Sequence, residues 1–173
     1  MQPKFEIKKV KKIVGAAMIA SLYVVLTFVS ASFGVAYYGV QLRISEALTV
    51  LPVFSPYAIP ALTCGCFISN MASPLGVLDM LFGTLSTFIA AVLTRFLRNF
   101  KIANIPILAP LPPVVLGSIF IGALISFSMP KGFSFPVFCS TAFSVGLGQF
   151  IVCYGLGLPL LIIIDKKQLY NFF

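Results

Sequence analysis

The sequence predicts an all-α integral membrane protein, a single bundle of six transmembrane helices. The first observation is composition, since 60 % of the 173 residues are hydrophobic, only 9 % are charged, and the mean hydropathy is +1.07. The second is that long apolar runs alternate with short segments rich in Pro and Gly, which break helices. The third is that Lys and Arg stand at the ends of the apolar runs. These features are typical of a chain folded in a bilayer, and we expect one domain over 1–173.

Four helices are predicted in the first half of the chain. A basic segment precedes the first of them, and a loop with polar and aromatic residues follows it. The second helix would rise only about 15 Å, too little to cross about 30 Å of hydrocarbon. It must be tilted, buried by its neighbours or extended past Pro56. The predicted segments are 1–12 (basic and cytoplasmic), 13–32 (helix), 33–43 (outer loop), and helices at 44–53, 57–71 and 77–97.

Two further helices are predicted in the second half, at 110–128 and 137–164. Pro112 and Pro113 fall in the first turn of the fifth helix, where a missing backbone N–H is tolerated. The sixth helix is unusually long. Its glycines and Pro159 predict a bend within it.

The basic residues predict how the bundle is oriented. Six crossings put both termini on one side of the membrane, and ten of the twelve Lys and Arg residues then share that side. Only Arg43 and Lys131 fall on the other. Because short cytoplasmic loops carry an excess of positive charge, both termini are predicted to be cytoplasmic. The net charge of +8 is therefore interpreted as a topology signal of a multi-pass cell-membrane protein, with the lipid bilayer and no nucleic acid as its partner.

Two acidic residues within apolar stretches give the strongest functional signal. Placing a carboxylate such as Glu46 or Asp79 inside a bilayer segment costs about 2.5–3.5 kcal/mol on insertion scales. The predicted topology puts both near the outer ends of their helices, at the same depth as Asn70. The pattern indicates a polar binding site for a basic or NH-rich organic ligand. The alternatives are that Arg43 neutralises one carboxylate, and that Asp79 serves only as a group at a helix N-terminus.

Further side chains fit such a site. Gln149 is the one strongly polar residue inside the sixth helix, and Tyr37 and Tyr38 lie in the outer loop, where they could stack on a planar heterocycle. The amides of Asn70 and Gln149 could instead make hydrogen bonds between helices.

The residues of the chain give little support to a catalytic or a metal-binding function. The chain contains no histidine, which removes His-based zinc sites and Ser-His-Asp triads. It also lacks the Gly-rich phosphate loop of ATPases. We therefore predict that the protein is not an enzyme and binds no metal or cofactor. If it transports a solute uphill, the energy would come from partner subunits or from an ion gradient. An intramembrane enzyme using the carboxylate pair is the remaining catalytic alternative.

Small residues mark one stretch of the first helix. Ala16 and Ala20 are one turn apart, with Ala17 and Ser21 beside them. Small residues at this spacing allow another helix to approach closely. They predict either packing within the chain or a docking face for a partner subunit.

Several motifs are more specific than the apolar runs around them. They are the segment VQLRISEALT at 40–49, Asn70, the turn SPLG at 73–76 followed by Leu78, Asp79 and Gly83, and Tyr154 with GLPL at 157–160. Over roughly residues 10–167 the chain thereby resembles the QueT family. These are the substrate-binding S components of energy-coupling factor (ECF) transporters associated with uptake of queuosine precursors.

The resemblance implies an S-component fold of six helices. It also implies a complex with the transmembrane coupling subunit EcfT and two cytoplasmic ATPase subunits. Ala16 and Ala20 match the small-residue pattern with which S components dock on that coupling subunit, and the loop 33–43 is similar to the lid over their ligands.

The ligand implied is a 7-deazaguanine such as queuine or its aminomethyl precursor. One carboxylate would accept N–H groups of the guanine-like edge, and the other would meet the amine. The alternatives are an S component for a different vitamin and a carrier that works alone. The substrate-binding residues we expect are Glu46, Asp79, Asn70, Arg43, Gln149 and Tyr38.

Overall fold

A computed structural model describes residues 3–37, 41–102, 105–130 and 132–168, with side chains from residue 9 onward. In these ranges the chain is helical throughout apart from turns, loops and one isolated bridge between Ile102 and Ile105. The helices are α1 (Pro3–Ser32), a 3₁₀ helix (Ile44–Val53), α2 (Ala58–Asn70), α3 (Val77–Leu97), α4 (Leu111–Phe127), α5 (Phe135–Val152), a π turn (Cys153–Gly157) and α6 (Leu158–Lys166).

The all-helical membrane fold predicted from the sequence is confirmed. Three stretches of the described residues are long and apolar enough to cross a membrane, Lys9–Ser32, Val77–Leu97 and Phe135–Lys166, and the other helices are shorter and also apolar. The bounds of α3 match the prediction. In contrast, α1 begins at Pro3, so that most of the basic segment 1–12 is helical.

The end of α1 is fixed by a Schellman motif. Gly34 has a φ of +72°, which favours glycine, and its N–H bonds to the carbonyl of Ala31 at 2.9 Å. The next residue, Val35, donates to the carbonyl of Ser30 at 3.2 Å. This stop turns the chain back, so that the outer loop returns toward the 3₁₀ helix.

The predicted second helix has the expected bounds but is a 3₁₀ helix, and its neighbours bury it. Ser45 to Pro52 are all buried, with α1, α2, α3, α5, α6 and the π turn packed around them. So long a 3₁₀ run is uncommon, because its hydrogen bonds are poorly aligned. Arg95 supports its end by donating from Nη1 to the carbonyls of Pro52 and Val53 at 3.0 and 2.9 Å.

A π turn interrupts the last helix just before Pro159, where the sequence predicts a bend. Pro159 has no N–H to give to the carbonyl four residues earlier, so the helical register loosens before it. Leu158 instead bonds to the carbonyl of Cys153. A Cβ added at Gly157 would lie 3.2 Å from the carbonyl oxygen of Ala47, so this glycine lets the turn pack tightly on the 3₁₀ helix.

The main apolar core lies between α1, α2 and the 3₁₀ helix, with Tyr23, Leu48 and Leu62 at its centre. A Cβ added at Gly65 would lie 3.0 Å from the carbonyl oxygen of Ala20 and from the Cβ of Tyr23. The close approach of α1 to α2 therefore depends on this glycine.

We predict that Gly65→Ala lowers the melting temperature of the detergent-purified protein. The added methyl group meets the α1 backbone, and overpacking of this kind costs about 1–3 kcal/mol. The matched control is Gly155→Ala, because no heavy atom lies within 4 Å of a Cβ added there. Equal melting temperatures for the two variants would contradict the packing of α1 on α2.

Candidate functional site

The predicted polar residues meet at the start of the 3₁₀ helix. Arg43 comes directly before that helix, Glu46 lies in its first turn, Asn70 ends α2, and Asp79 lies in the first turn of α3. Gln149 reaches the same region from α5. Their exposed fractions are 4 % (Arg43), 4 % (Glu46), 0 % (Asn70), 2 % (Asp79) and 5 % (Gln149). Tyr38, also predicted for the site, lies outside the described residues.

The Asn70 amide joins three segments of the chain. Its Oδ1 accepts a hydrogen bond from Nη2 of Arg43, and its Nδ2 donates to the carbonyl of Asp79 at 3.0 Å. The two contacts fix the orientation of the amide, because only its oxygen can accept from the guanidinium. Arg43 therefore donates its hydrogen bond to an amide. Among the described residues it has no hydrogen bond to Glu46 or Asp79, the neutralising partners considered from the sequence.

Glu46 is held by a residue of α1. The Tyr23 hydroxyl donates to its Oε1 at 2.6 Å, and Tyr23 is 0 % exposed. This contact was not predicted from the sequence. A signal was present, since Tyr23, Thr27 and Ser30 follow one another at intervals of four and three residues on an apolar helix, which places them on one face.

Three buried polar atoms of the site have no hydrogen-bond partner among the described residues. They are Oδ1 of Asp79, Nε of Arg43 and Oε1 of Gln149. Buried polar groups in proteins are nearly always satisfied, and those that are not call for a bound molecule or water. Two acceptors and one donor are therefore open to a guest.

The site contains a narrow polar cavity of about 10 Å³, room for about one water molecule. Arg43, Glu46 and Gln149 line it together with residues of α3 and α4. Two glycines make room for the polar side chains. A Cβ at Gly117 would overlap the Gln149 amide, and one at Gly83 would lie 2.7 Å from both Asn70 Nδ2 and Asp79 Oδ1.

The outer loop contacts the site through Tyr37. Its hydroxyl donates to the carbonyl of Ser69 at 2.8 Å, and its ring centroid lies 5.2 Å from Cζ of Arg43, a cation–π contact. Partial burial raises the pKa of the Tyr37 phenol, which keeps the hydroxyl protonated as a donor. This part of the loop therefore covers Arg43.

The small residues of α1 divide between two faces. Ala16 and Ala20 are half-buried against the core, and the backbone of Ala20 meets α2 at Gly65. Ala17 and Ser21 are exposed and line an open groove of about 690 Å³ that also includes residues of the 3₁₀ helix and α6. Packing within the chain thus accounts for Ala16 and Ala20, and their role in docking stays a prediction.

These features define the class of protein to which the chain belongs. The chain is a multi-pass protein of the cell membrane, with charged side chains gathered in a buried polar site. The sequence profile of the QueT transporter family matches residues 13–166, and the chain belongs to this family. The resemblance noted from the sequence motifs is confirmed.

A curated relative carries the same family name. The queuosine precursor transporter QueT of Lactococcus lactis subsp. cremoris (strain MG1363) is 40 % identical over 81 residues, which is 47 % of this chain and 47 % of the relative. The match thus spans about half the length of that relative. No solved structure shows a significant match to the chain.

We predict that Arg43→Met strongly destabilises the protein. It leaves the Asn70 amide without its donor and the two carboxylates without a nearby cation, and loss of one partner from a buried charged cluster costs about 3–5 kcal/mol. The control is Arg98→Met, a half-buried arginine at the end of α3. Melting temperatures compare the two, and a neutral Arg43→Met would contradict the arrangement of the site.

Proposed function

We propose that the protein is the substrate-binding subunit of an ECF-type importer and captures a queuosine precursor. The substrate would be a 7-deazaguanine such as queuine or its aminomethyl precursor. Membership of the QueT transporter family and the name of the curated relative support this proposal. The observation that carries it is the buried cluster of one guanidinium and two carboxylates, with an oxygen of Asp79 left without a partner.

The charges of the cluster favour a cationic guest. Arg43 balances one of the two carboxylates, so the site retains one formal negative charge when both acids are ionised. An uncompensated charge away from water is costly, and a ligand ammonium group would remove that cost. Glu46 and Asp79 would take the amine and the guanine-like edge in one order or the other.

The remaining polar atoms suit a nitrogen heterocycle. Oε1 of Gln149 would accept a ligand N–H, and Nε of Arg43 would donate to a ring nitrogen or carbonyl. Asn70 would hold Arg43 in place, and Tyr38 would stack on the ligand from the outer loop.

The cavity must widen to admit such a ligand. Its volume of about 10 Å³ is far below the 300–1,000 Å³ typical of ligand pockets. Withdrawal of the Gln149 side chain and opening of the loop 33–43 as a lid would supply the space. Gln149 lines the cavity, and Tyr37 of the loop lies over Arg43.

In the proposed assembly the chain is a single transmembrane domain over 1–173 with six crossings and both termini in the cytoplasm. Since the sequence carries no ATPase motif, two ATPase subunits would act through the coupling subunit EcfT. The open face of α1, at Ala17 and Ser21, would contact that subunit, with Ala16 and Ala20 setting the position of the helix on α2.

We predict that the purified protein binds 7-aminomethyl-7-deazaguanine, and that Glu46→Gln and Asp79→Asn each weaken binding about 10- to 100-fold. Each change removes a charged acceptor from a buried site. Isothermal titration calorimetry measures the effect, with Asp165→Asn as the control because this carboxylate is exposed at the end of α6.

Wild-type protein that binds no 7-deazaguanine would overturn the proposed substrate. Native mass spectrometry of the protein as purified would then identify the molecule that accompanies it, including another vitamin. Uptake by proteoliposomes without ATPases would overturn the ECF mechanism instead.

We also predict that Ser21→Leu weakens co-purification with the coupling subunit and leaves ligand binding unchanged. The larger side chain would block close helix approach on the open face of α1. Ser140→Leu is the matched control, because it changes an exposed serine on α5. Equal recovery of the coupling subunit with both variants would contradict docking at this face.

A further inference from the structure

Three polar contacts join α1 to the first residues of the 3₁₀ helix, and we call them the polar ladder. Their three side chains on α1 are each 0 % exposed. The contacts are Tyr23 hydroxyl to Glu46 Oε1 at 2.6 Å, Thr27 Oγ1 to Ser45 Oγ at 2.7 Å, and Ile44 N–H to Ser30 Oγ at 3.0 Å.

The ladder has a regular geometry. Its α1 members are spaced four and three residues apart and so lie on one helix face, while its other members are consecutive residues running the opposite way. A shift of α1 along the 3₁₀ helix would break all of the contacts together. The ladder therefore defines a single register between the two helices.

The position of Tyr23 links this register to the cavity. Glu46 lines the cavity, and Tyr23 stands behind it, outside the cavity wall. Its hydroxyl donates to one carboxylate oxygen, which fixes the rotation of the group and leaves Oε2 for a ligand. Thr49 and Cys153 bond to the backbone carbonyl of Glu46 at 2.6 and 3.7 Å and hold the main chain. Tyr23 orients the carboxylate itself.

We propose that Tyr23 is a positioning residue of the substrate site, and that Thr27 and Ser30 keep α1 in the register at which Tyr23 reaches Glu46. The inference rests on the proposed function in taking Glu46 as a substrate-binding carboxylate. It adds α1 to the binding site, because movement of this helix removes the donor from Glu46 and weakens the hold on the ligand.

The test is a double-mutant cycle on ligand binding. Tyr23→Phe keeps the ring and its packing and removes only the hydroxyl. We expect about a tenfold rise in Kd for 7-aminomethyl-7-deazaguanine in the wild-type background, because the ligand must then order the Glu46 side chain itself. In the Glu46→Ala background, which has no acceptor for the Tyr23 hydroxyl, the same change should alter Kd less than twofold. Tyr154→Phe, whose ring stacks on Phe150, is the control.

An unchanged Kd for Tyr23→Phe would overturn the proposal. An equal loss in both backgrounds would also overturn it, because a purely structural role of Tyr23 does not depend on the Glu46 carboxylate. Rescue adds a second criterion. Thr27→Val should weaken binding and Thr27→Ser should restore it, since serine keeps the hydroxyl that contacts Ser45.

The same cycle on melting temperature needs no ligand. Tyr23→Phe and Glu46→Ala should be non-additive in the ligand-free protein, because either change removes the one hydrogen bond that they share, whereas Glu46→Gln would keep an oxygen to accept it. If the changes in melting temperature are non-additive and the wild-type protein binds no 7-deazaguanine, the proposed substrate is overturned. The pairing of Tyr23 with Glu46 then stands. Additive melting would overturn the pairing, whatever the ligand.

Discussion

Three charged side chains, Arg43, Glu46 and Asp79, are taken out of water where α2, α3 and the 3₁₀ helix meet. Each would be costly alone, so their burial depends on the partners that the fold brings to them. The Asn70 amide accepts from the guanidinium, and the Tyr23 hydroxyl donates to Glu46. This compensation is incomplete. The two carboxylates outnumber the one guanidinium, and three buried polar atoms of the site have no hydrogen-bond partner in the described part of the chain. A guest that brings positive charge and N–H donors, as in the proposed function, would complete this compensation.

The packing of the surrounding helices keeps this cluster inside an apolar bundle. The segment that carries Glu46 is too short to cross a bilayer alone, and it is stable because longer helices surround it. Close packing depends on glycines at the contact points. Gly65 admits α1, Gly157 admits the π turn, and Gly117 gives space to the Gln149 amide. Gly65 and Gly157 therefore set how the helices pack, and Gly117 makes room for a polar side chain of the site itself.

The sequence predicted the helical fold well because hydropathy and helix breakers act locally. The bounds of α3 and of the 3₁₀ helix were anticipated, as was the convergence of Glu46, Asn70 and Asp79. Three features of the structure were not anticipated. The 3₁₀ geometry arises from packing on all sides, the Tyr23 contact joins residues 23 positions apart, and the inward face of Ala16 and Ala20 depends on where Gly65 lies. Each depends on the distance between segments, which a pattern along one segment does not encode.

The narrow cavity has a kinetic consequence. Because it has room for about one water molecule, the proposed ligand would enter only when Gln149 and Tyr37 had moved aside. Association then saturates at the opening rate as concentration rises, and departure waits for the same event. A guest once enclosed would have a long residence time. In the proposed importer, release into the cytoplasm would then depend on how readily the partner subunits open the same cavity.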